Sequence, residues 1–229
     1  MNNLSFGNLF RLAIESFKKF TMLSIVGYLI YSAIQGAASN IPVINIIFSI
    51  VFVFPLTGGF TLFFIKLTKN IEPSFGELFD GFKEIPRWMG VGWLFILYVA
   101  VVFVIAGIPL WIGFGIFSTS PDNPASIFAL VFLGLISILI AFIVIARWAF
   151  VYYVAADEGL TAKAAIARSE YLTEGFRPQI YFYTIIFMLF GFAGAIALGV
   201  GILVTLPIAQ LGLTHMYLTI KSIKEPNQY

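Results

Sequence analysis

Apolar residues run through this chain in blocks of about twenty, not in the alternation of amphipathic strands. A helix needs roughly 20 apolar residues to cross the ~30 Å hydrocarbon layer. Six stretches are apolar enough to be such spans: 22–38, 43–65, 88–117, 126–154, 180–199 and 202–220. They fall into three hairpins, closed by short turns at 39–42, 118–125 and 199–201 in which Asp122 is the only charge.

A shorter amphipathic segment precedes each hairpin. In the first, Phe6, Leu9, Phe10, Ala13 and Phe17 share a helical face, with Asn8, Arg11, Glu15 and Lys18 opposite. In the second, Phe75, Leu78, Phe79 and Phe82 keep that register opposite Glu77, Asp80 and Glu84. Ser5-Phe6-Gly7-x-Leu9-Phe10 and Ser74-Phe75-Gly76-x-Leu78-Phe79 match 69 positions apart. The third, 161–175, repeats the pattern through Ala162, Ala165, Ile166, Ser169 and Leu172. Ser5, Ser74 and Thr161 stand where N-caps belong, Ser74 and Glu77 form a capping box, and Gly175 followed by Pro178 ends the third segment. Phe54-Pro55 and Leu206-Pro207 are each followed by a lysine, fourteen residues after the proline (Lys69, Lys221). The expected fold is all-α and integral to the membrane: six transmembrane helices as three hairpins, each led by an interfacial amphipathic helix. The units, approximately 4–70, 71–157 and 158–224, repeat in parallel around a pseudo-threefold axis within a single membrane domain.

Charge sets the expected orientation. Arg11, Lys18 and Lys19 precede the first span. Lys66, Lys69, Lys83 and Arg87 lie between the second and third. Lys163, Arg168 and Arg177 lie between the fourth and fifth, and Lys221 and Lys224 follow the sixth. Of the 13 basic residues only Arg147 is missing from that side. The positive-inside rule then places both termini in the cytoplasm.

Composition agrees with this class: 60% of residues are hydrophobic, 10% are charged, and the mean hydropathy is +0.99. A soluble domain averages about 25% charged residues. A net charge of +2 leaves no basic footprint for nucleic acid. Cysteine is absent and His215 is the single histidine, so neither disulfides nor Cys/His metal cages are expected, and no cofactor. The first twenty residues have no apolar core ahead of a cleavage site, so no signal peptide is expected.

From residue 147 to 157 the chain reads Arg-Trp-Ala-Phe-Val-Tyr-Tyr-Val-Ala-Ala-Asp, followed by Ala164-Ala165-Ile166-Ala167-Arg168-Ser169 and Leu172-Thr173-Glu174-Gly175. With Leu206-Pro207, Tyr217, Pro55, Gly59 and the 75–82 segment, these residues resemble a broad set of bacterial six-span membrane proteins of unknown function. Relatives of that set include the membrane domain attached to some glycerophosphodiester phosphodiesterases. The resemblance implies the six-span fold and a bacterial cytoplasmic membrane. It carries over no catalytic residue, because those relatives keep catalysis on a separate soluble domain.

The candidate residues each have a structural and a functional reading. Arg147, the one charge inside a span, is either ion-paired (Asp157, Glu170 or a carbonyl end) or a contact for an anion or lipid phosphate. His215 and Gln210 are interhelical hydrogen bonders or cavity residues, and Gln35, Asn45 and Thr57 read as hydrogen bonders. Pro55, Pro109 and Pro207 are candidate kinks or hinges, and Gly191, Ala195 and Gly199 form a stripe for close helix packing. The acid pairs Asp80/Glu84 and Glu170/Glu174 fall on polar faces. No nucleophile–base pair, phosphate loop or metal spacing stands out, so no enzyme is expected. The expected function is non-catalytic binding of membrane lipid or of another membrane protein, in envelope homeostasis or as an accessory subunit. A homo-oligomer is a further possible partner. The alternative is a transporter or channel for a small apolar or anionic solute.

Overall fold

The computed structural model describes residues 4–39, 51–195 and 201–226, which form helices and turns with no strand among them. Helix α1 (Phe6–Lys19) is capped by Ser5, whose hydroxyl accepts from the Asn8 N–H at 3.3 Å. It buries Leu9, Ala13, Ser16 and Phe17 and exposes Arg11, Glu15 and Lys18, as its amphipathic pattern requires. After Phe20 the chain enters α2 (Thr21–Ser39), and α3 (Val53–Thr68) follows beyond the described gap. Asn70, at φ 60°, turns the chain after α3.

The segment Phe75–Glu84 is a 3-10 helix, not the α-helix its pattern suggests. The capping box is present, with the Ser74 N–H donating to Glu77 at 3.1 Å. In a 3-10 helix residues three apart share a face. Phe75, Leu78 and Gly81 therefore face α3, Phe75 with its ring 6.3 Å from Phe63, while Phe79 turns away and is 43% exposed. The cause is contact with α3: a Cβ on Gly81 would run into the Pro55 carbonyl, and one on Gly59 into the Leu78 carbonyl.

Next come α4 (Ile85–Thr119) and α5 (Pro124–Ile145), a long hairpin whose turn is capped by the Asn123 side chain accepting from the Ala125 N–H at 3.0 Å. A 3-10 turn, Ala146–Trp148, interrupts the α-helical bonding within the expected fourth span and leads into α6 (Val151–Glu158), while Pro124–Glu158 stays one helical stretch. Gly159, at φ 66°, ends α6. Helix α7 (Ala162–Thr173) buries Ala165, Ile166, Ser169 and Leu172. Thr161 holds its N-cap position without a side-chain cap bond, and Gly175, at φ 84°, follows its end. Helices α8 (Arg177–Ala193) and α9 (Ile202–Lys224) complete the chain.

Three continuous helical stretches are long and apolar enough to cross a membrane: Phe75–Thr119, Pro124–Glu158 and Ile202–Lys224. The pair α7 and α8, bent by 98°, makes a fourth if taken as one. Thr21–Gly36 and Val53–Thr68 are apolar but shorter. Residues 40–42 of the first expected turn, Asn45 and Gly199 lie outside the described residues, and Ser39 ends α2.

The main packing runs through neighbouring elements. Helix α4 lies along α5 and α8 along α9; the 3-10 segment lies on α3; α7 rests on α4 and α6; and α1 lies on α9. One apolar core centres on Val151, Val154, Ile180, Phe187 and Tyr217, and a second on Phe60, Phe63, Phe64, Leu67 and Leu78. Phe6 and Phe10 of α1 pack against α8, their rings 5.1 Å from Phe187 and 5.0 Å from Phe190.

Candidate functional site

The polar groups gather where α3, α6, α7 and α9 end. Asp157, the last-but-one residue of α6, has a side chain only 4% exposed. Lys69 donates to its Oδ1 at 2.5 Å, and Lys221 and Tyr217 to its Oδ2 at 2.6 and 3.0 Å. Lys221 also pairs with Glu158 at 2.8 Å, Glu158 with Arg168 at 3.0 Å, and Arg168 with Glu225. A buried carboxylate is tolerated only when its lone pairs are satisfied, and here two ammonium groups and a phenol satisfy them. The sequence signal was the spacing that singled out Lys69 and Lys221; nothing in it showed that both meet Asp157. A second pair, Lys66 with Glu77, ties the 3-10 segment to α3.

Arg147 is different. It sits in the 3-10 turn after α5, exposed, and forms no ion pair among the described residues. Both carboxylates that could have neutralised it are engaged elsewhere: Asp157 by the lysines, and Glu170 by the Trp148 indole N–H at 2.9 Å. Its backbone is what the fold uses. The Arg147 carbonyl accepts from Ser169 at 2.9 Å and Thr173 at 3.2 Å, the Phe150 N–H donates to Ser169 Oγ at 3.2 Å, and the Ala146 N–H donates to the Tyr181 hydroxyl at 2.9 Å. Side chains of α7 and α8 thus satisfy the backbone groups that the break frees, which is the condition for irregular backbone at membrane depth.

Two hollows flank this break. One is an open groove of about 370 Å³ between α5 and α8, formed by Phe142, Ile143, Arg177, Tyr181, Phe182 and Ile185 with Pro178. Its floor is the Phe142–Tyr181 stack, centroids 3.6 Å apart. Arg177 Nε is buried without a hydrogen-bond partner among the described residues. Sequence reading counted Arg177 only as a positive flank; its place beside an apolar trough needed the tertiary structure. The other hollow, about 270 Å³, lies inside the bundle and carries the hydroxyl-bearing Tyr152, Tyr153, Tyr181 and Thr184 among Phe95, Phe150 and Met216.

His215 and Gln210 act between helices. His215 Nε2 and Ser16 Oγ lie 2.9 Å apart as a buried hydrogen-bonded pair joining α9 to α1. Gln210 donates to the Tyr153 hydroxyl at 3.2 Å, so it touches the lining of the inner hollow through Tyr153. Gln35 donates to Tyr31 at 3.0 Å, and Thr57 is within 3.3 Å of the same phenol.

The three prolines separate. Pro55 stands in the first turn of α3, where its missing N–H costs no helical bond. Pro109 and Pro207 lie inside α4 and α9. Directly after Pro109, the Leu110 N–H donates across the hairpin to Ser137 Oγ at 2.9 Å. In the small-residue stripe, Gly191 meets α9, with Thr205 donating to its carbonyl at 2.7 Å. Gly194, not Ala195, makes the next close approach, against Thr205 and Gly201, because α8 ends at Ala193 and the turn swings Ala195 outward. Asp80 pairs with Lys83 at 2.7 Å and Glu84 with Arg87 at 2.5 Å.

No family model, curated protein or solved structure matches this chain.

Proposed function

We infer that this is a non-catalytic, six-span protein of the bacterial cytoplasmic membrane, both termini cytoplasmic, that binds membrane lipid or another membrane protein in envelope homeostasis or as an accessory subunit. The observation that carries this reading is Arg147: an exposed guanidinium without an ionic partner among the described residues, following a helix whose Phe142 and Ile143 are exposed apolar residues. A cation at the edge of an apolar face suits a phosphate at the headgroup level or an acidic partner segment. The test is native mass spectrometry of protein extracted from its own membranes without added lipid. A retained lipid or stoichiometric partner, lost on Arg147→Glu, is the expected result; a bare chain in both cases overturns the reading.

Six crossings rest on counting α2, α3 and α8 as spans beside the three long helices. Helix α8, with 17 residues, is about 26 Å long at 1.5 Å per residue, a mismatch that a bilayer absorbs by local thinning. The pseudo-threefold repeat is supported by the packing order. The 3-10 segment that opens the second unit lies on α3 of the first, α7 of the third lies on α4 and α6 of the second, and α1 of the first lies on α9 of the third. Positions 69, 157 and 221, at corresponding places near the ends of the units, meet in one cluster, and Leu9, Leu78 and Ala165 are each buried at corresponding places in the leading segments. Kinship with the bacterial six-span set belongs to this same proposal and rests on the 147–175 stretch.

The alternative, a transporter or channel for a small apolar or anionic solute, is favoured by the inner hollow with its tyrosine and threonine hydroxyls and the neighbouring Gln210. Solute flux into liposomes carrying the protein, abolished by Tyr153→Trp, would establish it in place of the binding reading.

A further inference from the structure

We propose that the groove between α5 and α8 holds one anionic glycerophospholipid of the cytoplasmic leaflet, its phosphate on Arg177 and one acyl chain along Phe142, Phe182 and Ile185. The proposal rests on the lipid-binding reading above and narrows it to a site and a lipid class.

Arg177 is the only charged residue among those forming the groove. Its Nε is buried without a hydrogen-bond partner, and no carboxylate lies within ion-pair distance of it among the described residues. Arg177 as a whole is only half-buried and lines the groove, so its guanidinium suits an anionic acceptor that enters there. The other carboxylates around the break are spent, Glu170 on Trp148 and Asp157 on its lysines. A second cation stands at the same level of the bundle. Tyr181, one helical turn after Arg177, accepts from the N–H of Ala146, the residue before Arg147. Two unpaired guanidiniums thus flank one Tyr–Ala hydrogen bond, and the planar donor fork of arginine matches phosphate oxygens. Arg177 is also the first residue of α8, where the helix dipole adds to the attraction for an anion.

The rest of the groove selects a lipid over a free anion. Ile143, Phe182 and Ile185 are 51%, 62% and 42% exposed, and together with the Phe142–Tyr181 stack they form an apolar trough open sideways. Inorganic phosphate would use the arginines and leave the trough idle. A diacyl phosphate uses both, with the headgroup at the cytoplasmic level and the chain along α8.

The experiment uses the full-length protein in detergent, titrated with dioleoyl phosphatidylglycerol or dioleoyl phosphatidylcholine and read by native mass spectrometry. The wild type is expected to retain one phosphatidylglycerol at concentrations where phosphatidylcholine leaves it bare. Arg177→Gln should lower that occupancy at least tenfold. Ile185→Trp, which fills the trough and keeps the charge, should lower it comparably, with an unchanged melting temperature showing that it folds. Retention at the wild-type level in both variants overturns the site. So does displacement of the lipid by millimolar inorganic phosphate, which marks a free-anion site, or a protein chain occupying the groove in place of lipid. If Arg147→Glu abolishes retention while both groove variants keep it, lipid binding stands and this site falls; if the wild type holds no lipid, both fall.

Discussion

A single carboxylate organises the charged end of this protein. Asp157 faces Lys69 and Lys221 from opposite oxygens while Tyr217 donates to one of them, and nearly all of its side chain is sealed from solvent. Removing one partner of a buried ion pair strands the other, at a cost of about 3–5 kcal/mol. Asp157→Asn is therefore expected to lower the melting temperature in detergent sharply, whereas Lys69→Met, which leaves Asp157 paired with Lys221, should be milder. Equal effects would show that the cluster does not work as a unit. Gly81 is constrained for a different reason. Its Cα faces the Pro55 carbonyl, and no flexible side chain is there to move aside. Gly81→Ala forces the 3-10 segment off α3, with an expected loss of about 3 kcal/mol, at the upper end for overpacking. Gly7→Ala, with open space around it, is the matched control and should melt like the wild type.

At the scale of elements, the break between α5 and α6 is held without proline. Ser169 both accepts from the Phe150 N–H and donates to the Arg147 carbonyl, so one hydroxyl serves two freed backbone groups. Ser169→Ala leaves a buried N–H unmade and should cost about 1–3 kcal/mol. Faster amide exchange confined to the neighbourhood of residue 150 would locate the loss. The end of α9 is tied back to α7 through Arg168 and Glu225. Hydrogen bonds from Arg168 hold the Glu225 carboxyl below its ordinary value. A depressed carboxyl contributes stability that is complete above the ordinary glutamate pKa of about 4.3 and is lost as pH falls through the lower folded value. The melting temperature should therefore drop on acidification below about pH 4, and Glu225→Gln should lower it at neutral pH while removing that part of the acid slope.

For the whole molecule, the absence of cysteine makes topology directly measurable. In the proposed orientation, single cysteines at Asp122 and at Lys163 report opposite faces. A membrane-impermeant maleimide added to intact cells should label the first and not the second until the membrane is opened. Labelling of both, or of Lys163 alone, would overturn the proposed orientation.

The same scale shows what was legible beforehand. The all-helical class, the leading amphipathic segments and the Ser5 and Ser74 caps follow from apolar block length, 3.6-residue periodicity and side-chain hydrogen bonding, which are local properties of the chain. The 3-10 form of Phe75–Glu84 was not legible, since it goes with the close approach of the segment to α3 at Gly81 and Gly59, which the local sequence does not show. The break after Ile145 was equally hidden, because the residues that satisfy it, Ser169, Thr173 and Tyr181, lie between 19 and 35 positions away from the backbone groups they bond.

By itself, then, the sequence determined the all-helical, apolar class of this chain, the approximate positions of its apolar helices and which faces of its first and third leading segments turn inward. Those are set by transfer free energy and by bonds spanning a few residues. Which charges cancel was decided only by the tertiary structure. Lys69, Asp157 and Lys221 are separated by 88 and 64 positions yet share one site, while Arg147, ten residues from Asp157, is left without an ionic partner among the described residues. Pairing at short range depends on where helices end in space, and local sequence does not encode those distances.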